Sequence, residues 1–145
     1  MSNASDTLRL TLSPQLSELT RVRNKLDRYL RDGSLPDTVR CTLLVVAEEI
    51  LTNIVHYGCC DDTSDTIEVK VDQENAVVHM EFIDSGKPFN PLKEAGRETA
   101  GQLVDNLELG GIGVRLVREL TNHQEYTRKA GRNHFQITKH IWPSK

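Results

Sequence analysis

Apolar and polar residues alternate from Thr7 to Leu12, with Leu8, Leu10 and Leu12 on one side, and this predicts a strand. The period then lengthens: Leu16, Leu19, Val22, Leu26 and Leu30 recur at helical spacing to about Arg31, and Asp32-Gly33-Ser34 ends the run. Ser13-Pro14 supplies its start signal, serine as N-cap and proline at the first helical position. A second helix is predicted from Pro36-Asp37 to Gly58, followed by a polar loop from Asp61 to Asp65. Thr66–Val71 and Ala76–Ile83 alternate around Asp72-Gln73-Glu74-Asn75 and predict a β-hairpin. The stretch from Leu92 to Leu109 is polar, weakly periodic and long enough to be a lid. Gly110-Gly111-Ile112-Gly113 closes it, and Val114, Leu116, Val117 and Leu120 predict a short helix to about Thr121. Gln124–Lys129 and His134–Ile141 make a last strand pair around Ala130-Gly131-Arg132-Asn133.

Strands joined mainly by short hairpins, with helices free to cover one face, predict an α+β two-layer sandwich. The sheet is expected to be mixed, mainly antiparallel, in a single domain spanning 1–145.

The second helix organises the rest. At ~100° per residue, Val39, Leu43, Val46, Ile50 and Ile54 share one broad core sector, while Leu44, Leu51 and Val55 fill much of the far side. Glu49, Asn53 and His56 fall within ~60° of one another on a polar row at the border. A carboxylate, a carboxamide and an imidazole beside apolar surface cost desolvation free energy unless something pairs with them, which points to a ligand. An i, i+4 Glu/Asn pair is also common on solvated helices, so the row needs support from elsewhere in the chain.

Bulk properties narrow the class. The 145 residues suit one domain, and 37% hydrophobic with 5% aromatic content allows an aliphatic core. The net charge of −3 and pI near 5.9 leave no basic excess of the kind nucleic-acid binding uses. Arg21, Arg23, Lys25, Arg28 and Arg31 make the first helix basic on its outer side, a solvated face with an acidic-partner surface as the alternative. No run approaches the roughly 18 apolar residues of a membrane span, and no signal-peptide pattern opens the chain. Three cysteines give no disulfide framework and no zinc spacing. A reducing, cytoplasmic setting without membrane or direct nucleic-acid contact is therefore expected.

Two further motifs support the row. Asp84-x-Gly86 falls where an apolar strand runs out: the aspartate can accept from an exocyclic amine such as adenine N6, and the glycine lets the backbone approach the ring. By itself Asp-Ser-Gly is also simply a turn. Gly110-Gly111-x-Gly113 directly before a helix offers backbone N–H groups and a helix dipole to an anion. It is neither a Walker sequence nor a dinucleotide fingerprint.

Together, Glu49-x-x-x-Asn53-x-x-His56-Tyr57, Asp84-x-Gly86 and Gly111-x-Gly113 resemble the N, G1 and G2 boxes of the GHKL ATPase superfamily, which includes gyrase, the histidine-kinase catalytic domain and the mismatch-repair ATPases. Within it, the chain is most similar to the bacterial anti-sigma-factor serine kinases. Glu49, the segment Lys87-Pro88-Phe89-Asn90-Pro91, and Gly110-Gly111-Ile112-Gly113-Val114 carry that likeness. The resemblance implies a Bergerat-type ATP-binding fold and the cofactors ATP and Mg²⁺. It implies that Asn53 coordinates the metal and that Glu49 is the general base. His56 would lie near the phosphates and Tyr57 against the adenine. Asp84 would read N6 with Gly86 giving room, and Gly111, Ile112 and Gly113 would hold the phosphates under a lid at 92–109. Asn133 falls near a Thr or Ser that often supports the adenine through water. The implied partners are a sigma factor and an antagonist protein phosphorylated on serine; such relatives are often homodimers, and the sequence leaves the oligomeric state open. Some relatives carry an arginine before the G2 glycines that touches the γ-phosphate; this chain has Leu109 there, with Arg97 and Arg115 nearby. That departure leaves a nucleotide-gated binding module without turnover as the alternative. A detached sensor-kinase catalytic domain ranks lower, because no segment resembles a phosphoacceptor helix.

Overall fold

The computed structural model describes residues 7–58, 66–91 and 112–141. Among these residues five strands form one sheet: β1 Leu8–Leu12, β2 Ile67–Glu74, β3 Val77–Asp84, β4 His123–Lys129 and β5 Arg132–His140. Their spatial order is β1-β2-β3-β5-β4, and every described pairing is antiparallel. Three α-helices accompany them among the described residues: α1 Leu19–Asp32, α2 Asp37–Asn53 and α3 Ile112–Leu120. This is the expected α+β architecture.

Alternation along the strands builds the core face. Leu10, Val69, Phe82 and Phe135 stand in one row across β1, β2, β3 and β5, all buried. Against them α2 brings Val39, Leu43, Val46, Ile50 and the adjoining Ile54, the sector its periodicity predicts, and α1 brings Val22, Leu26 and Leu30. Leu44 and Leu51, on the far side of α2, are buried too, so most of this helix's circumference is covered. The other sheet face carries Arg9, Lys70, Glu81 and Gln136 in register, a polar surface that an antiparallel sheet can present to water.

Several boundaries differ from expectation, each for a local reason. Ser13-Pro14 does not cap α1: a 3₁₀ turn at Leu16–Glu18 precedes the helix, Glu18 reaches back to accept from the Ser13 N–H at 3.0 Å, and Leu16 is left 47% exposed. Both hairpins are tighter than expected. The loop anticipated at 72–75 contracts to Asn75-Ala76, with φ of 54° and 67°, and the one at 130–133 to Ala130-Gly131, with φ of 55° and 74°. Two consecutive left-handed residues are the signature of the type I′ turn, whose twist matches its strands. The basic face of α1 is exposed as expected, but it is partly self-paired: Arg21 donates to Glu18 at 3.0 Å and to the Thr11 carbonyl at 2.8 Å, and Arg31 donates to Asp27 at 3.0 Å. Asp27 also accepts from Arg40 at 2.8 Å, which ties α1 to α2. Among the described residues no helix is long and apolar enough to cross a membrane.

Candidate functional site

One row beyond Phe82, the core face of the sheet changes character. Leu12, Ile67, Asp84, Asn133 and Arg128 lie side by side across the five strands, apolar on β1 and β2 and polar on β3, β5 and β4. Asp84 and Asn133 are each only 2% exposed. A buried carboxylate demands donors, and two converge on Asp84 Oδ1: the Gly86 N–H at 2.9 Å and Asn133 Nδ2 at 2.9 Å. Among the described residues no bond is made to Asp84 Oδ2. Gly86 is itself buried, so the turn after β3 folds tightly over the carboxylate.

Asn133 is the hub of this corner. Its Nδ2 also donates to the Lys87 carbonyl at 2.8 Å. Its Oδ1 accepts from the Phe89 N–H at 3.0 Å, from the Tyr126 hydroxyl at 2.5 Å and from Arg128 Nη1 at 3.2 Å. Arg128 Nη1 also donates to the Gly86 carbonyl at 2.7 Å. These partners fix the amide's orientation, because Nδ2 faces only acceptors and Oδ1 only donors. Tyr126 and Arg128 escape a reading by motif. The signal for them is the two-residue period of β4, which puts both on the face of Asp84 once the register is known.

The second group lies on α2. Glu49 and Asn53 sit one helical turn apart, Asn53 2% exposed and Glu49 half-buried. Burial raises the Glu49 pKa above the ordinary carboxylate value, and the neighbouring Glu48 charge adds to that. Directly after Asn53 the helix widens into a π turn, Ile54–Gly58. Such turns shift the angular phase of the residues beyond them and occur frequently at functional sites. His56 lies within that π turn and is exposed. Tyr57 has its backbone in the π turn, and its side chain lies outside the described residues.

Ile112 opens α3 and Gly113 comes next in its first turn, where the sequence predicts a helix start. Arg115 is exposed on that helix. Gly110, Gly111, Leu109, Arg97 and the expected lid at 92–109 lie outside the described residues. Among the described residues no hydrogen bond joins the α2 pair to the Asp84 corner.

Comparison with known proteins sets this geometry in a family. The chain is 28% identical over 143 residues to serine/threonine-protein kinase BtrW of Bordetella bronchiseptica, covering 99% of both chains. Its fold is similar to the crystal structure of the RsbU and RsbW domains of Rv1364c from Mycobacterium tuberculosis, with a TM-score of 0.66 and 16% identity over 97% of this chain, which spans 34% of that one. It is also similar to the Acinetobacter baumannii histidine kinase AdeS, with a TM-score of 0.50 and 11% identity over 92% of this chain and 68% of that one. A family model for the histidine kinase-like ATPase domain matches residues 12–139, and the chain belongs to that family.

Proposed function

We propose that this chain is a Mg-ATP-dependent serine/threonine-protein kinase of the anti-sigma type, which phosphorylates a small antagonist protein and otherwise sequesters a sigma factor in the cytoplasm. The observation that carries the reading is the Glu49–Asn53 pair: two polar side chains one turn apart, at the mouth of a π turn, bordering the buried apolar sector of α2. A likeness to a protein named serine/threonine-protein kinase over nearly its whole length supports it.

The residues fit the proposed roles chemically. Half-burial makes Glu49 a stronger base than an exposed glutamate, as the removal of a hydroxyl proton requires. Asn53 offers one neutral oxygen. Among the described residues no cluster of three or more His, Cys, Asp or Glu forms a metal cage. That suits magnesium, which is commonly held by few protein ligands plus substrate phosphates and water. When bound, the ion offsets charge on the transferring phosphoryl group. Asp84 Oδ2, with Oδ1 already occupied by Gly86 and Asn133, is the acceptor for the adenine amine, and the tight turn at Gly86 leaves no side chain in the ring's way.

Saturating Mg-ATP at about 100 times its dissociation constant is expected to add about 2.7 kcal/mol of stability, read as a rise in melting temperature. Asp84→Asn tests the base contact. The asparagine can keep an oxygen facing Gly86 and Asn133, but its amide replaces the free acceptor. ATP affinity should fall about 10–100-fold by titration calorimetry with little change in unfolding, since a hydrogen bond to a charged group is worth about 1.5–3 kcal/mol.

Leu109 supports one other reading, a nucleotide-gated switch without turnover. Incubation with Mg-ATP and the antagonist protein separates the two. Phosphoserine on the antagonist sustains the kinase, whereas tight ATP binding with neither phosphoprotein nor ADP after long incubation selects the switch.

A further inference from the structure

We infer that Asn133 is a positioning residue for nucleobase selection: it holds the Asp84 carboxylate so that Oδ2 alone faces the base, and Tyr126 and Arg128 on the edge strand hold Asn133 in turn. This rests on the nucleotide reading of the site and names what sets its specificity.

A buried carboxylate with two equivalent oxygens can rotate about its terminal torsion and present either of them. Here one oxygen is pinned from both sides, by the Gly86 N–H and by Asn133 Nδ2, both at 2.9 Å. Pinning depends on Asn133 itself being immobile, and its amide is fully engaged. Both N–H bonds are used, on Asp84 and on the Lys87 carbonyl, while three donors address the two lone pairs of Oδ1. No N–H of this amide remains to donate to a water, and its bond to Asp84 runs directly between the two side chains. The same amide grips Lys87 and Phe89 of the turn after Asp84, so one side chain fixes both the acceptor and the loop beside it. Tyr126 and Arg128 come from β4, which among the described residues pairs only with β5, and neither belongs to any of the three motifs.

The chemical consequence is discrimination between an amine and a carbonyl at the purine 6-position. A carboxylate oxygen held in place accepts from adenine N6 and repels the hypoxanthine O6. A carboxylate free to turn, or hydrated, tells them apart less well. The experiment is titration of wild type, Asn133→Ala and Tyr126→Phe with Mg-ATP and with Mg-ITP, each with its unfolding temperature. Wild type is expected to prefer ATP. Asn133→Ala should lower the ATP-to-ITP affinity ratio roughly tenfold, chiefly through weaker ATP binding. Tyr126→Phe, which removes a single donor to Asn133 and keeps the ring, should lower it about threefold at nearly unchanged melting temperature. A merely structural role would weaken both nucleotides alike and leave the ratio where it was, and that result overturns the assignment. If Asn133→Ala does not fold, Tyr126→Phe decides by the same ratio. A wild type that binds neither nucleotide overturns the nucleotide reading, and this assignment with it.

Discussion

Glu49→Gln is expected to lower phosphoryl transfer to the antagonist serine by about 10²–10⁴-fold, the range a positioned general base contributes, while ATP affinity stays within a few-fold of wild type. Single-turnover transfer and equilibrium nucleotide binding, measured on the same preparation, check the two halves. If the variant transfers phosphate as fast as wild type, Glu49 is not the base. The direction of its pKa adds a pH signature. Burial, and then the Glu48 charge, raise the Glu49 pKa, and the working base is the ionised form. The acid limb of the rate profile should therefore lie above the ordinary glutamate range, and Glu48→Gln should move it downward. Stability has the opposite sign. A carboxyl whose folded pKa is raised contributes stability that is present at low pH and lost as pH rises through the folded value. Glu49→Gln should thus melt higher than wild type at neutral pH, and the gap should close as the solution is acidified. A variant that gains stability as it loses catalysis is the pattern expected where a site is strained for function.

The largest effect on folding is expected at the centre of the sheet. Phe82 is fully buried on β3, directly between Val69 of β2 and Phe135 of β5, both of them also buried. Phe82→Ala should destabilise the domain by about 3–5 kcal/mol, through lost burial and the cavity left among neighbours held by two strand pairings. Domains of this size are typically stable by about 5–15 kcal/mol, so the variant would stand near its unfolding transition at physiological temperature. A fall in urea midpoint with unchanged slope is the expected reading. A loss under about 1 kcal/mol would show that the site collapses freely, contrary to its place in the packing.

How much of the molecule is legible in its sequence depends on which force decides each feature. Apolar periodicity locates α2 and its core sector, because burial of Leu43, Val46 and Ile50 leaves few alternative rotations. The end of β3 at Asp84 is legible for a similar reason: an apolar strand that meets a carboxylate has reached the border of the core. The hairpin turns are not. Asp72, Gln73 and Glu74 read as a loop on polarity, yet all three pair with β3, and the Gln73 amide donates to the Gly33 carbonyl at the end of α1 at 3.4 Å, so β2 runs on to Glu74. The same reading of 130–133 leaves Asn133 outside any strand. Its pairing with Asp84 emerges only when the turn shrinks to Ala130-Gly131 and fixes the register. Ser13-Pro14 carries a sound capping signal, but the Glu18 carboxylate takes the Ser13 amide and the helix starts later. The π turn after Asn53 has no signature in the residues themselves, so a helical period carried unbroken to Gly58 misses it.

Among the described residues β4 lies at the end of the sheet, and this bears on how the folded chain behaves in a crowd. An outermost strand presents unpaired backbone groups to any passing extended segment, and natural proteins discourage such annealing with charge. Here the margin reads His123, Gln124, Glu125, Tyr126, Thr127, Arg128, Lys129, with most of these side chains exposed and both signs of charge present. A strand docking alongside would have to strip water from them, and so the ladder stops growing where the chain needs it to stop.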